Sequence, residues 1–327
     1  MKITVIGEEL KNNDALEQFS IDVLTGLCSK PKMLPAKYFY DDIGSKIFQK
    51  ITSHNDYYPT RSEFNILKDI CSKLPDVLTD EEIDIIELGV GDGHKSKLVI
   101  DGFKDAGTKV NFYPIDISRE AMNLLKENIK EDDQLSIEAI VSEYFQGLKY
   151  VREHSKNKKL ILFLGSNVGN FNIVQVQGFL RRLWLTLGKE DHVLIGFDLK
   201  KDINKLLSAY NDSDGLTRDF NLNLLTRINR ELGGNFDLDK FQHYGTYNPS
   251  LGAMESYLVS LEDQDIKIDE LERSFHFKPY EAIHLEYSFK YIESDIDFLS
   301  EKTGFEVIKN YYDENKYFTD SLWKVLK

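Results

Sequence analysis

Between residues 83 and 198 the chain alternates two patterns of apolar and polar positions. Short apolar runs at 83–88, 110–116, 136–141, 160–165 and 192–198 have the length and β-branched content of buried strands. Between them, 95–104, 120–130, 144–150 and 173–187 carry apolar residues at helical spacing. Strands alternating with helices predict an α/β fold, a parallel sheet with helices on both faces. Near the end, 295–303 reads as a helix and 305–312 and 321–326 as two further strands. Two segments break the alternation. Residues 1 to about 80 read as helical, most clearly over 16–28 and 62–74. Residues 201–286 begin as helices, 204–210 and 219–232, and turn to strand-like runs at 256–261 and 284–291. The expected division is a domain of 62–200 plus 287–327 and a second, α+β domain of 1–61 plus 201–286.

The first strand runs straight into IIELGVGDGHKS, residues 85–96, with glycines at 89, 91 and 93. Missing Cβ atoms let a backbone bend sharply and approach a ligand closely, and the helix that follows presents free N–H groups. A dinucleotide fold has G-x-G-x-x-G and a P-loop has G-x-x-x-x-G-K-[ST]; neither is present. The form E-x-G-x-G-x-G, starting at Glu87, is similar to motif I of class I S-adenosylmethionine methyltransferases. Two acids fall in register with that reading. Asp116 ends the second strand, where a carboxylate can take both hydroxyls of a ribose, and Glu143 follows the third, near an adenine. Each has a plainer role available: Glu87 as a cap at the sheet end, Asp116 as a turn or capping residue before the helix after Ser118.

Charge and composition narrow the partners. The 327-residue chain has a formal net charge of −14, which repels phosphate backbones. Its most basic stretch, KYVREHSKNKK at 149–159, reads as a solvated turn, so no nucleic-acid partner is expected. No apolar run approaches a membrane span, and the N-terminus lacks the apolar core of a secretory signal. Cys28 and Cys71 have no metal-ligand spacing and read as reduced thiols, pointing to a cytoplasmic protein.

The resemblance extends well beyond motif I. LPAKYFYDDIGSKIFQKITSHNDYYPTRSEFNIL (34–67), IELGVGDGHKSKLVI (86–100), LFLGSNVGNF (162–171), FDLKKD (197–202), FNLNLLTRINRELGGNFD (220–237) and HLEYSFKY (284–291) all resemble the histidine-specific α-N-methyltransferases of ergothioneine biosynthesis. The likeness runs in order from about residue 20 to the C-terminus, and YYPTR and FLGSNVGNF are its most specific blocks. It implies a class I methyltransferase Rossmann-like sheet with a second, substrate-binding domain. It implies transfer of three methyl groups from S-adenosylmethionine to the α-amino nitrogen of free histidine by a monomer, without a metal.

The resemblance also implies roles for individual residues. Gly89, Gly91 and Lys95 would hold the methionine part of the cofactor, Asp116 its ribose, Glu143 and Tyr144 its adenine, and Gly165 would lie against it. Asn170 and Tyr210 would grip the α-carboxylate and amino group. Tyr40, Tyr57, Glu286 and Ser288 would surround the imidazole and the reacting amine, with Tyr40 and Asn170 nearest the chemistry. The residue types suit an in-line displacement by an amine: an amide and phenols orient it without competing as nucleophiles, and a carboxylate matches an imidazole N–H. On local pattern alone, the tyrosines read as packing residues, Asn170 as a helix cap next to Phe171, and Glu286 and Ser288 as one face of an amphipathic strand.

Three departures from the family pattern stand out. The loop reads GVGDG, where serine or threonine is usual at Val90 and Asp92. Glu143-Tyr144 replaces Asp-Phe. Ser256, in GAMESYL, stands where the family has a methionine near the substrate side chain. A small polar residue there leaves room or offers a hydrogen bond, so another aromatic amino acid (tryptophan, tyrosine or a methylhistidine) is the alternative acceptor. A non-catalytic S-adenosylmethionine-binding protein is the alternative from another class.

Overall fold

The alternating apolar runs form one eight-stranded sheet. Its order is Lys2–Val5, Leu135–Val141, Lys109–Asp116, Glu82–Leu88, Lys158–Phe163, His192–Asp198, Phe318–Val325, Phe305–Tyr312. The first six strands are parallel, and the last two run antiparallel to their neighbours. The central strands read as continuous apolar runs because both faces are covered: His192–Asp198 is buried at every position. The chain adds strands outward on one side of Glu82–Leu88, then crosses to add Lys158–Phe163 on the other. That reversal makes a switch point at the carboxyl ends of these two strands, where open α/β sheets bind ligands. The turns containing Gly89 and Gly165 emerge there. The fold is the class I methyltransferase Rossmann-like fold.

The computed structural model describes residues 1–6 and 12–327. It separates into two units. The first holds the N-terminal strand, Pro59–Lys200 and Lys290–Lys327; the second runs from helix Asn12–Cys28 through Tyr58 and takes in Lys201–Phe289. Two sequence expectations need correction. The N-terminus is not uniformly helical: Lys2–Val5 pairs with Leu135–Val141 and belongs to the first unit. (Residues 7–11, inside that same expectation, lie outside the described residues.) The stretch 149–159 is not a turn throughout. Helix Tyr144–His154 covers its first half, and Lys159 is buried in a strand with its ammonium 3.3 Å from Asp84. Among the described residues no helix is long and apolar enough to cross a membrane.

The second unit has a four-stranded sheet, ordered Lys32–Met33, Ala282–Phe289, Ala253–Ser260, Phe241–Asn248, and a hairpin of Gln264–Ile268 and Arg273–Phe277. Helix Leu216–Leu232 contributes Phe220, Leu224 and Ile228 to a core shared with Phe39, Leu258 and Ile283. Helix Asp42–Ser53 is tied to it at its start. The Asp41 carboxylate caps its own helix by accepting the Gly44 N–H at 2.7 Å, and it also accepts from Asn223 and Arg230. Gly44 is required there, because a Cβ would sit 1.8 Å from the Phe39 carbonyl oxygen. This junction fixes the chain on either side of Tyr40.

Candidate functional site

In the first unit the turn after Glu82–Leu88 is built from left-handed residues. Gly89, Gly91 and Gly93 have φ of 80°, 56° and 75°, a region that L side chains rarely occupy. A Cβ on Gly89 would lie 2.9 Å from the Tyr144 hydroxyl, and one on Gly93 would lie 2.3 Å from Leu125 Cδ1. Gly91 differs: nothing lies within 4 Å of its Cβ position. The turn therefore packs closely at its ends and is open at its middle, above helix His94–Asp105.

Asp116 sits beside this turn at the end of its strand. Its Oδ1 accepts the Ser118 N–H at 2.9 Å, while Ser118 itself caps the following helix by accepting from Ala121. Burial pushes the Asp116 carboxyl above its ordinary value, opposed by N–H groups of Ser118 and Gly91. Glu143 is exposed at the N-cap position of helix Tyr144–His154 and makes no capping bond. The Tyr144 ring packs edge-on to Phe163, and burial raises its phenol well above the usual range, with Asp116, Glu143 and Glu87 adding to the rise. Glu87 is not a cap. It is 3 % exposed and accepts the Ser96 hydroxyl, and burial pushes its carboxyl up to about 8.

The second glycine turn follows Lys158–Phe163. Gly165 and Ser166 are consecutive left-handed residues, φ 76° and 55°, and Ser166 accepts the Asp198 N–H at 3.1 Å. The Asn167 amide nitrogen lies 3.7 Å from the Cβ position of Gly165 and 3.5 Å from that of Gly89, so one side chain borders both turns. Lys95 Nζ is 3.8 Å from the Gly165 position and donates to Glu63. Burial pulls the Lys95 ammonium down, but the Glu63 carboxylate outweighs it and holds it above its ordinary value. Asn170 is exposed at the end of the turn Asn167–Asn170. It is not a helix cap: Asn172 caps the next helix, in a reciprocal box with Gln175.

The second unit gathers Tyr40, Tyr57, Tyr210, Ser256, Glu286 and Ser288. On its sheet Ser256 is directly opposite Glu286, and Met254 is opposite Ser288. Cross-strand partners share a face, so these four line one strip. A bulge between His284 and Glu286 precedes the strip. The Tyr210 hydroxyl donates to Ser288 Oγ at 2.7 Å, both residues being buried. Ser256 is 1 % exposed, and its hydroxyl has no hydrogen-bond partner. Glu255 points the other way and accepts from Tyr257 at 2.8 Å. Tyr40 packs edge-on against Phe48 and Phe220, and Tyr57 also packs edge-on against Phe48. Asn170, by contrast, belongs to the first unit.

Sequence reasoning passed over Glu63, Ser96, Asn167 and Asp320. None carries a local signal. Glu63 is one polar position on an amphipathic helix, and Asp320 stands in a polar triplet, Thr319–Ser321, near the start of its strand.

Comparison with known proteins gives a consistent outcome. A family model described as histidine-specific methyltransferase, SAM-dependent, matches residues 19–325. The histidine N-alpha-methyltransferase of Mycolicibacterium smegmatis is 33% identical over 284 residues, 86% of this chain and 87% of that protein. The protein of the same name from Mycobacterium tuberculosis is 32% identical over 271 residues, 83% of each. More distantly, an L-tryptophan methyltransferase of Psilocybe serbica is 26% identical, covering 88% of this chain and 87% of its own.

Proposed function

The chain belongs to the family of histidine-specific, S-adenosylmethionine-dependent methyltransferases, and from that membership we propose that it methylates the α-amino nitrogen of free L-histidine, up to the Nα,Nα,Nα-trimethyl product. The observation that carries the acceptor is the strip in the second unit. Glu286 is opposite the small, buried Ser256, two register positions from Ser288, whose hydroxyl is bonded to that of Tyr210. A carboxylate in that setting can accept from the N–H of an imidazole.

S-Adenosylmethionine is the methyl donor. The first unit fits it on geometry: the open Cβ direction at Gly91 leaves a cradle beside a helix N-terminus, bordered by the Asp116 carboxyl. Gly89, Gly91 and Lys95 would hold its amino-acid end, Asp116 the ribose, Glu143 and Tyr144 the adenine, with Gly165 in close approach. When bound it supplies an electrophilic methyl on a sulfonium. This chain's part is to present a neutral amine in line with that methyl. We assign Tyr40 and Asn170 to orient the amine, and Tyr57 and Tyr210 to hold the amino acid. Phenol and amide do this through hydrogen bonds without becoming methylated in place of the substrate. We place the reaction in the cytoplasm, in keeping with free thiols at Cys28 and Cys71.

One observation favours a second acceptor class. The Ser256 hydroxyl is buried and unpaired, and such a group is costly unless a ligand partners it. A larger or polar ring, as in tryptophan, tyrosine or a methylhistidine, would supply that partner. A mass-spectrometric screen decides the matter. Protein and S-adenosylmethionine are mixed with each free amino acid and with mono- and dimethylated histidines. Mass gains of one, two and three methyl groups on histidine are expected. Methylation of another amino acid in its place would transfer the specificity to Ser256 and its neighbours. Donor binding without methylation of any amino acid would overturn the proposed activity.

A further inference from the structure

Glu63 lies on helix Tyr58–Ile70 and is completely buried. Its two carboxylate oxygens accept the Gly165 N–H at 2.7 and 3.0 Å, and Lys95 donates to one of them. The sheet is hollowed to admit it: a Cβ on Gly196 would fall 2.2 Å from Glu63 Oε1. The register partner of Gly196 on the neighbouring strand is Asp320, also completely buried, and neither Asp320 oxygen is met by a donor. Cross-strand partners share a face, so the Asp320 side chain lies on the side of the sheet that the Glu63 carboxylate enters.

Two carboxylates cannot share a hydrogen bond unless one carries a proton. Glu63 already accepts from Lys95 and from Gly165, so it is the anion, and the proton sits on Asp320. Burial and then the Glu63 charge push the Asp320 carboxyl well above its ordinary value, with Lys95 opposing them. The next titratable neighbour is Glu87, beside Lys95, whose buried carboxyl keeps its proton at neutral pH and adds no charge, and Tyr311 is the register partner of Asp320 on the edge strand. With Lys95 positive, Glu63 negative and Asp320 neutral, the trio carries no net charge, which is what lets it be buried. Lys95 has three N–H donors and spends one on Glu63.

We propose that Glu63 and Asp320 form a proton-sharing pair that positions Lys95 and the Gly165 turn for the amino-acid end of the methyl donor. The proposal rests on the methyltransferase reading. Glu63 and Asp320 are positioning residues. They fix a long, flexible ammonium and one peptide N–H before the donor arrives, which lowers the ordering cost of binding.

Calorimetric titration with S-adenosylhomocysteine at neutral pH tests this on the intact protein. Asp320→Asn keeps a donor toward Glu63 and retains most of the wild-type affinity. Asp320→Leu removes the donor and weakens binding on the order of tenfold. Glu63→Gln, nearly the same shape, weakens it by a similar factor and serves where Asp320→Leu fails to fold. Thermal melts without ligand separate folding from binding. Infrared spectra supply a readout that packing alone would not move: wild type has a protonated carboxylic acid band at neutral pH that weakens in Asp320→Asn. Equal losses in the Asn and Leu variants, or no change in that band, would overturn the shared proton. Unchanged affinity in Glu63→Gln would overturn the positioning role. No binding of S-adenosylhomocysteine by wild type would instead bring down the methyltransferase reading beneath it.

Discussion

The two halves of the chemistry are made of different material. The donor cradle of the first unit is mostly backbone: three left-handed glycines, a second turn at Gly165 and Ser166, and the N-terminus of helix His94–Asp105. The acceptor strip of the second unit is side chains: Ser256 opposite Glu286, and Tyr210 bonded to Ser288 across 78 residues of sequence. A backbone site depends on which residues can be bare or left-handed, so it tolerates changes elsewhere and fails at a glycine. A side-chain site leaves the fold alone when one group is removed and loses one contact.

The sharpest way to break this contrast is Gly89→Val. A β-branched residue at φ 80° is strained by about 1–3 kcal/mol. Its Cβ would also press on the Tyr144 hydroxyl, 2.9 Å away. Affinity for S-adenosylhomocysteine should fall on the order of a hundredfold. Calorimetry that finds the affinity within a factor of about two would mean the turn does not hold the donor.

Glu286→Ala probes the other half. Loss of a charged hydrogen-bond acceptor costs about 2 kcal/mol, so kcat/KM for histidine should fall roughly thirtyfold. Donor affinity should stay at the wild-type value, because nothing in the first unit's cradle is altered. If donor affinity and histidine turnover fell together, the two halves would not be separable as drawn. Unchanged turnover would remove the imidazole role from Glu286.

The same difference governs what was legible in the sequence. The sheet could be read because both its faces are covered, which leaves uninterrupted apolar runs such as His192–Asp198. The glycine turn could be read because its spacing is local. Strand Lys2–Val5 was not, since four residues at a sheet edge carry too little pattern, two of them being exposed. Helix Asp42–Ser53 falls inside the helical expectation for residues 1 to about 80, and its cap, Asp41, is a recognised start signal that would have given its boundary. Strand Phe241–Asn248 has two buried positions in eight, so it alternates weakly. For the acceptor strip, periodicity is silent. Register places Ser256 against Glu286, and no local rule gives the register of strands joined by a long excursion. Only resemblance to a family raised those residues. Glu63 and Asp320 escaped both routes, because their meaning depends on the space left at Gly196.

The prediction with the smallest expected effect on either ligand concerns Glu87, and it reads out in pH instead. Burial is the main cause that raises its carboxyl to about 8, while the Ser96 hydroxyl and Lys95 pull the other way. In the unfolded chain the group ionises near the ordinary value of 4.5. Between those values the native state keeps a proton that the unfolded state has released. Stability from this group is therefore fully present below about pH 4.5, declines as pH rises toward 8, and declines no further above it. The slope approaches about 1.4 kcal/mol per pH unit for one such group. Glu87→Gln cannot ionise yet still accepts from Ser96, so its stability should decline less steeply over that window. Urea unfolding of both proteins at several pH values gives the difference directly, which cancels the contribution of Asp320 and the other buried acids. Parallel pH profiles would show that Glu87 is ionised in the folded protein. The buried side of the motif would then be a charged site, and the donor cradle would owe part of its character to a side chain after all.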